Sequence, residues 1–193
     1  MVQILAGVLV AFVAVLANRH LTPVFGLSSA HYSRYAAPVL EETLKCAYMV
    51  YLIRSRRIGF MIDAAICGFA LGTGFAIVEN AYYLRTCPDL SIAACVLRGF
   101  GTAVMHGGAT TVFAIISQSM SERYVIPRVW IFLPGLGAAI LFHSLFNHFL
   151  VSPVLTVAGL VLVLPLLLMV VFQQSERRVR RWRRRSWRRA VPS

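Results

Sequence analysis

The sequence predicts an all-α fold: a polytopic membrane bundle of about six transmembrane helices with both termini cytoplasmic. Three observations carry this expectation. The 193 residues are 59% hydrophobic and only 13% charged. Several apolar runs are continuous over more than the ~18 residues that cross a bilayer, whereas barrel strands alternate over about 10 residues. The basic residues are also placed unevenly, with nine of the nineteen in the tail Arg177 to Arg189.

The first helix is expected over about 2–17, short for a span, with Asn18, Arg19 and His20 ending it. It has neither a basic start nor an A-x-A cleavage site, so it reads as a retained helix. Pro23, Gly26, Ser28 and Ser29 then mark a loop from Leu21 to Arg34, in which His20 and His31 read as interfacial. A second helix covers about 35–53 and stops at the RSRR of Arg54 to Arg57.

A third helix, about 58–84, carries Asp63 near one end, where a carboxylate complements the helix dipole, and Gly68 and Gly72 four residues apart. That stripe serves internal packing at least as readily as a dimer. Cys87 and Cys95 flank the next loop and are placed to pair in an oxidising compartment, while Cys46 and Cys67 read as core residues. Further helices are expected over about 92–119, 129–151 and 154–172, followed by a basic tail, 173–193. The tail follows directly on a span, so its expected partner is anionic lipid, with no nucleic acid expected.

Six spans put both termini on one side, and the tail assigns that side to the cytoplasm. Fourteen arginines then lie inside (Arg54, Arg56, Arg57, Arg123, Arg128 and the nine of the tail), against Arg19, Arg34, Arg85 and Arg98 outside. At ~1.5 Å per helical residue, Glu41, Glu79, His106 and His143 all fall roughly 7–13 Å below the outer ends of their helices. An ionisable residue at such a depth needs a partner, a cavity or a function.

Lys45 lies about 40° from Glu41 and about 60° from Glu42 around its helix, so one ammonium could steady both carboxylates. His143 and Asn147, four apart, share a face, and His148 points away from it. Phe75 and Tyr83 lie one turn either side of Glu79 as possible pocket walls. Such a set suits hydrolysis: a carboxylate takes a proton from the attacking water, and a His or an Asn amide holds the oxyanion. No Ser or Cys has a His at a telling spacing, which disfavours a covalent nucleophile. Glu79, His106 and His143 would also give three ligands to a zinc ion, with Glu41 or Glu42 as base. No HExxH is present, and the residues alone leave metal-dependent and metal-free hydrolysis both open.

The EETLK of Glu41 to Lys45, the FAIVEN of Phe75 to Asn80, His106 and the HSLFN of His143 to Asn147 resemble, in order and spacing, the EExxK, FxxxEN, H and HxxxN pattern of the PrsW family of intramembrane proteases. That family belongs with the type II CAAX-processing and bacteriocin-processing proteases. In the CAAX-processing relatives the second motif ends in His, where this chain has Glu79. The resemblance implies a membrane-embedded protease domain over 1–172, with Glu41 as general base, Glu42 beside it and Glu79 holding the water. It further implies that His143 and Asn147 stabilise the oxyanion, with Lys45, Asn80 and Phe75 supporting. The implied substrate is a single-pass membrane protein such as an anti-sigma factor, cut near the extracytoplasmic face of the cell (inner) membrane. Two other classes compete: a non-catalytic scaffold, similar to the γ-secretase scaffold subunit of the same superfamily, and a proton-coupled transporter. The intact motif set speaks against the first. The clustering of polar groups in the outer third speaks against the second.

Overall fold

The structure, a computed structural model, describes residues 1–86, 91–122 and 128–148, and beyond them 154–155, 158–159, 161–163, 165–166, 169–170, 172–173 and 176–177. Those last pieces are helical; the rest of the predicted 154–172 helix, Cys87 of the suggested disulfide, and the tail from 178 onward lie outside the described residues. Among the described residues every regular element is helical, and four helices are long and apolar enough to cross a membrane.

The first helix, α1, runs Val2–Phe25, eight residues past the expected end at Ala17. Asn18 does not end it, because its side chain finds partners inside the bundle: its amide donates to Glu41 Oε1 (2.9 Å), and its carbonyl accepts from the Tyr32 hydroxyl (2.8 Å). The helix is ended instead by Gly26, at φ 60 in the left-handed region that glycine adopts without steric cost. Twenty-four residues span roughly 36 Å, enough for the hydrocarbon core.

The expected loop is likewise largely helical. A single turn, α2 (Ser29–His31), passes into a π-helical segment, Tyr32–Ala36, and then into α3, Ala37–Arg54. The end of α3 is a Schellman cap in which Arg57 N donates to Leu52 O and Arg56 N to Ile53 O, with Arg56 itself left-handed at φ 55. Next comes α4, Met61–Thr86, beginning three residues later than expected, with Asp63 accepting from Phe60 N at 3.0 Å. Ser91 caps α5, Ile92–Ser121, by accepting from Ala94 N. A 3-10 turn, Val129–Phe132, leads into α6, Leu133–Asn147.

The centre of the bundle is α4 against α5, with α1 on α4 and α6 on α5. Glycines set these distances. A Cβ at Gly72 would run into the carbonyl of His106, and one at Gly74 into the carbonyl of Ile4, so the backbones of α5 and α1 both press directly on α4. The Gly68 and Gly72 stripe therefore serves packing within the chain. The short helix α3 carries Glu41, Glu42, Lys45 and Arg54, too many charges for a span by composition, yet its inner face is buried against α5, α6 and α1. What the apolar helices enclose is a set of charges.

Candidate active site

Four helices contribute one residue or more each to a buried polar cluster: Glu41, Glu42 and Lys45 from α3, Glu79 from α4, His106 from α5 and His143 from α6. Glu42, Lys45 and His106 are fully buried and His143 nearly so, while the Glu79 side chain keeps 27% exposure and Glu41 keeps 9%. The cluster therefore reaches its surroundings on the side of the two outer glutamates.

Hydrogen-bond chemistry assigns the roles within it. A Lys ammonium only donates. Lys45 Nζ lies 2.6 Å from Glu42 Oε1 and 2.8 Å from His106 Nδ1, so both accept from it. His106 must then carry its proton on Nε2, which donates to Glu79 Oε2. Glu42 Oε1 also accepts from His143 Nδ1 at 2.8 Å, which leaves Nε2 of that ring as the lone-pair nitrogen. The imidazoles of His106 and His143 meet edge to face with centroids 4.7 Å apart. Phe75 closes the inner side, 4.9 Å from the His106 ring and with Lys45 Nζ 4.7 Å above its own. Glu42 Oε2 is buried without a hydrogen-bond partner among the described residues.

The lysine does not steady both glutamates of its stripe. It is drawn toward His106, and Glu41 takes its hydrogen bond from Asn18 of α1 instead. Asn147 shares its turn with His143, but its amide donates to the carbonyl of Ser33 at 2.9 Å. Asn80 donates to the carbonyl of Gly99 at 3.0 Å. His148 faces away as expected, bonded to Tyr35 Oη and Ser144 O, and His31 is exposed beside Ser28. Two residues at the cluster were not singled out for it in the sequence. One is Asn18; the other is Arg98, whose Nη2 lies 3.7 Å from Glu79 Oε1 and whose guanidinium stacks 3.2 Å from the centroid of Tyr83. The signal for Arg98 was available, since a charged side chain within an apolar helix calls for a partner.

A zinc ion takes carboxylate oxygen and imidazole nitrogen. Among the described residues the set that converges is Glu41, His106 and His143, each offering one ligand atom within 4.8 Å of the others. Glu41 replaces Glu79, whose Oε2 is held by His106. Donor type and distance suit a metal, but the hydrogen bonds do not. His143 has a free lone pair on Nε2 and a carboxylate behind Nδ1, the second-shell arrangement a metal ligand uses. His106 has none, because Nδ1 accepts from the lysine ammonium and Nε2 holds the proton. The residues as arranged supply two of the three lone pairs that a metal would need. The charge at the centre is supplied by Lys45.

The sequence profile of the family described as PrsW family intramembrane metalloprotease matches residues 1–172. No curated protein and no solved structure matches the chain.

Proposed function

Since the chain belongs to the PrsW family and is an intramembrane protease, we propose that it hydrolyses a peptide bond of a single-pass, anti-sigma-factor-like membrane protein near the extracytoplasmic face, using a water activated by Glu41. The observation that carries this reading is the convergence of Glu41 with His106 and His143, against a buried Glu42–Lys45 pair, inside a bundle of apolar helices.

The hydrogen bonds support a role for each residue. Asn18 engages Oε1 of Glu41, which fixes the carboxylate and leaves Oε2 to take the proton from water. Glu42 is a strut, not a base, since it is fully buried and its Oε1 ties Lys45 to the His143 ring. His143 Nε2, with its lone pair free, receives that proton from Glu41 and delivers it to the departing amine. Glu79, fixed by His106 and Arg98, holds the water from the other side. Asn147 uses one N–H on Ser33 and keeps its second for the oxyanion. A metal, if bound, would polarise the substrate carbonyl and acidify the water; the lysine-occupied His106 makes the metal-free course the one proposed.

The same reading places six spans in the cell membrane with both termini cytoplasmic and the arginine tail on anionic lipid. The test is Glu41→Gln, co-expressed with a single-span substrate. Gln keeps the volume but cannot accept the proton, so cleavage should fall by about 10²–10⁴ while insertion and yield hold. Should both Glu41→Gln and the double change Glu41→Gln, Glu42→Gln still cleave, the glutamate mechanism is wrong.

A further inference from the structure

Among the described residues the Glu41 carboxylate has one hydrogen-bond partner, the Asn18 amide of α1. A carboxylate only accepts, so Asn18 must turn an N–H toward Oε1 and its side-chain carbonyl the other way. There the carbonyl meets the Tyr32 hydroxyl at 2.8 Å. Tyr32 is the first residue of the π-helical turn, and its hydroxyl makes no other hydrogen bond among the described residues. Its own place is well fixed. Tyr32 is buried, its ring lies 6.1 Å from that of Phe25, and its backbone N–H donates to Ser28 O at 2.9 Å. On the other side Thr22 Oγ1 donates to the backbone carbonyl of Asn18 at 2.7 Å. The chain thus runs out past Asn18 to Gly26 and returns to set Tyr32 against it.

An Asn amide has two orientations related by a half-turn, and the choice between them matters once Glu41 has taken a proton. A neutral carboxyl donates as well as accepts. Were the amide free to turn, its oxygen would accept from a proton on Oε1, which would then be engaged by Asn18 and out of reach of His143. With the amide held as it stands, an N–H faces Oε1 and the proton has only Oε2. Tyr32 decides between the two. Turning the amide would set its NH₂ against the Tyr32 oxygen, and the buried hydroxyl proton would be left with no acceptor among the described residues. A buried donor without a partner costs more than a lone pair left unused.

We propose that Tyr32 is a positioning residue for the base: by donating to Asn18 Oδ1 it keeps an N–H on Glu41 Oε1 in both states of the carboxyl and confines the transferred proton to Oε2. The proposal rests on the protease reading above and deepens it. As the water oxygen bonds to the peptide carbonyl carbon, its proton passes to Oε2, from there to His143 Nε2, and then to the amine as the C–N bond breaks. Oε1 takes no part in the transfer.

The experiment uses the full chain in maltoside micelles. Acid-induced infrared difference spectra, each less that of the matching Glu41→Gln protein, isolate the carbonyl stretch of protonated Glu41. In the wild type that carbonyl is at Oε1 and accepts from Asn18, which lowers its stretch. Tyr32→Phe keeps the ring and removes only the hydroxyl. The proton should then settle on Oε1, the carbonyl at Oε2 should have no donor, and the stretch should rise. It should rise in Asn18→Leu as well, and Tyr32→Phe added to Asn18→Leu should move it no further. Cleavage of a single-span poly-leucine peptide with a Gly-Pro break at its outer end should follow the same pattern. For Tyr32→Phe, kcat should fall about fivefold or more with KM little changed, and the double variant should lose no more than Asn18→Leu alone. An unmoved stretch in Tyr32→Phe overturns the proposal, as does a stretch that rises while kcat holds. Losses in kcat that multiply in the double variant also overturn it, since Tyr32 would then be a structural tie acting apart from Asn18. A stretch that rises in a protein whose wild type cleaves nothing would uphold the hold on Glu41 and remove the protease mechanism, so the two failures are distinguishable.

Discussion

Lys45 is where the cluster is most exposed to perturbation, because it is a fully buried cation serving two partners. Its ammonium lies 2.6 Å from Glu42 Oε1, 2.8 Å from His106 Nδ1 and 4.7 Å above the Phe75 ring. Lys45→Met keeps the length of the side chain and removes the charge. Glu42 is then a buried carboxylate held by His143 alone, with Oε2 already unpartnered. Breaking a buried pair from one side costs about 3–5 kcal/mol, since the remaining charge loses its compensation. Against a total stability of about 5–15 kcal/mol, that is a large fraction.

Reversible unfolding in mixed detergent–SDS micelles measures this, and a second variant separates charge from packing. In the double change Glu42→Gln, Lys45→Met no buried charge is left uncompensated, so its cost should be smaller than the sum of the two single costs by about 1–3 kcal/mol. If Lys45→Met costs less than about 1 kcal/mol, the value typical of a surface pair, or if the two changes simply add, the lysine is not the central cation of the site. The tautomers assigned to His106 and His143 would fall with it.

Four further outcomes are expected. Asn18→Leu should lower cleavage about tenfold or more by releasing the Glu41 carboxylate, as a hydrogen bond to a charged group is worth about 1.5–3 kcal/mol, whereas His148→Ala should leave cleavage near wild type; equal effects in a substrate-cleavage assay would refute the difference. Wild-type cleavage should survive a strong chelator, and metal analysis should find no stoichiometric zinc; loss of activity that returns with added zinc would show that His106 is a ligand after all. Lys45→Met, by freeing His106 Nδ1 of its donor, should allow zinc to bind where the wild type takes none. A cysteine at Ser91 should react with a membrane-impermeant thiol reagent in intact cells and one at Ser55 should not, with the reverse pattern overturning the proposed orientation.

What could be read from the sequence was what a straight helix fixes by spacing alone. Glu42 and Lys45, three apart, do pair, and His148 does turn away from His143, because both relations depend only on rotation about one axis. That His106, Glu79 and the α3 acids would meet was legible from depth, since buried charges in apolar helices have few places to go. What spacing does not fix is which partner a flexible side chain chooses. Lys45 stood in reach of Glu41 as well, and only the arrival of His106 from α5 draws it the other way. Asn18 was hidden for a different reason: it precedes an arginine and a histidine, a run that reads as a helix leaving the membrane.

The least legible feature is the π-helical segment Tyr32–Ala36, and it bears on the site more than its length suggests. An i→i+5 turn leaves no periodic mark in the sequence. It inserts a residue into the helical path just before α3, and each residue turns the helix by about 100°, so it contributes to the direction in which Glu41 and Glu42 face. Its wider turn also brings backbone carbonyls within reach of side-chain donors: those of Ser33 and Arg34 accept from Asn147 and Ser144 of α6. The HxxxN spacing thus joins two tasks on one helix face. His143 enters the buried cluster, and one turn later Asn147 clamps the segment that orients the glutamates. Asn147→Ala should then misplace Glu41 as well as lose an oxyanion donor. Asn147→Asp tests this, since a carboxylate cannot donate to the Ser33 carbonyl. If it cleaves as well as wild type, the clamp has no catalytic consequence.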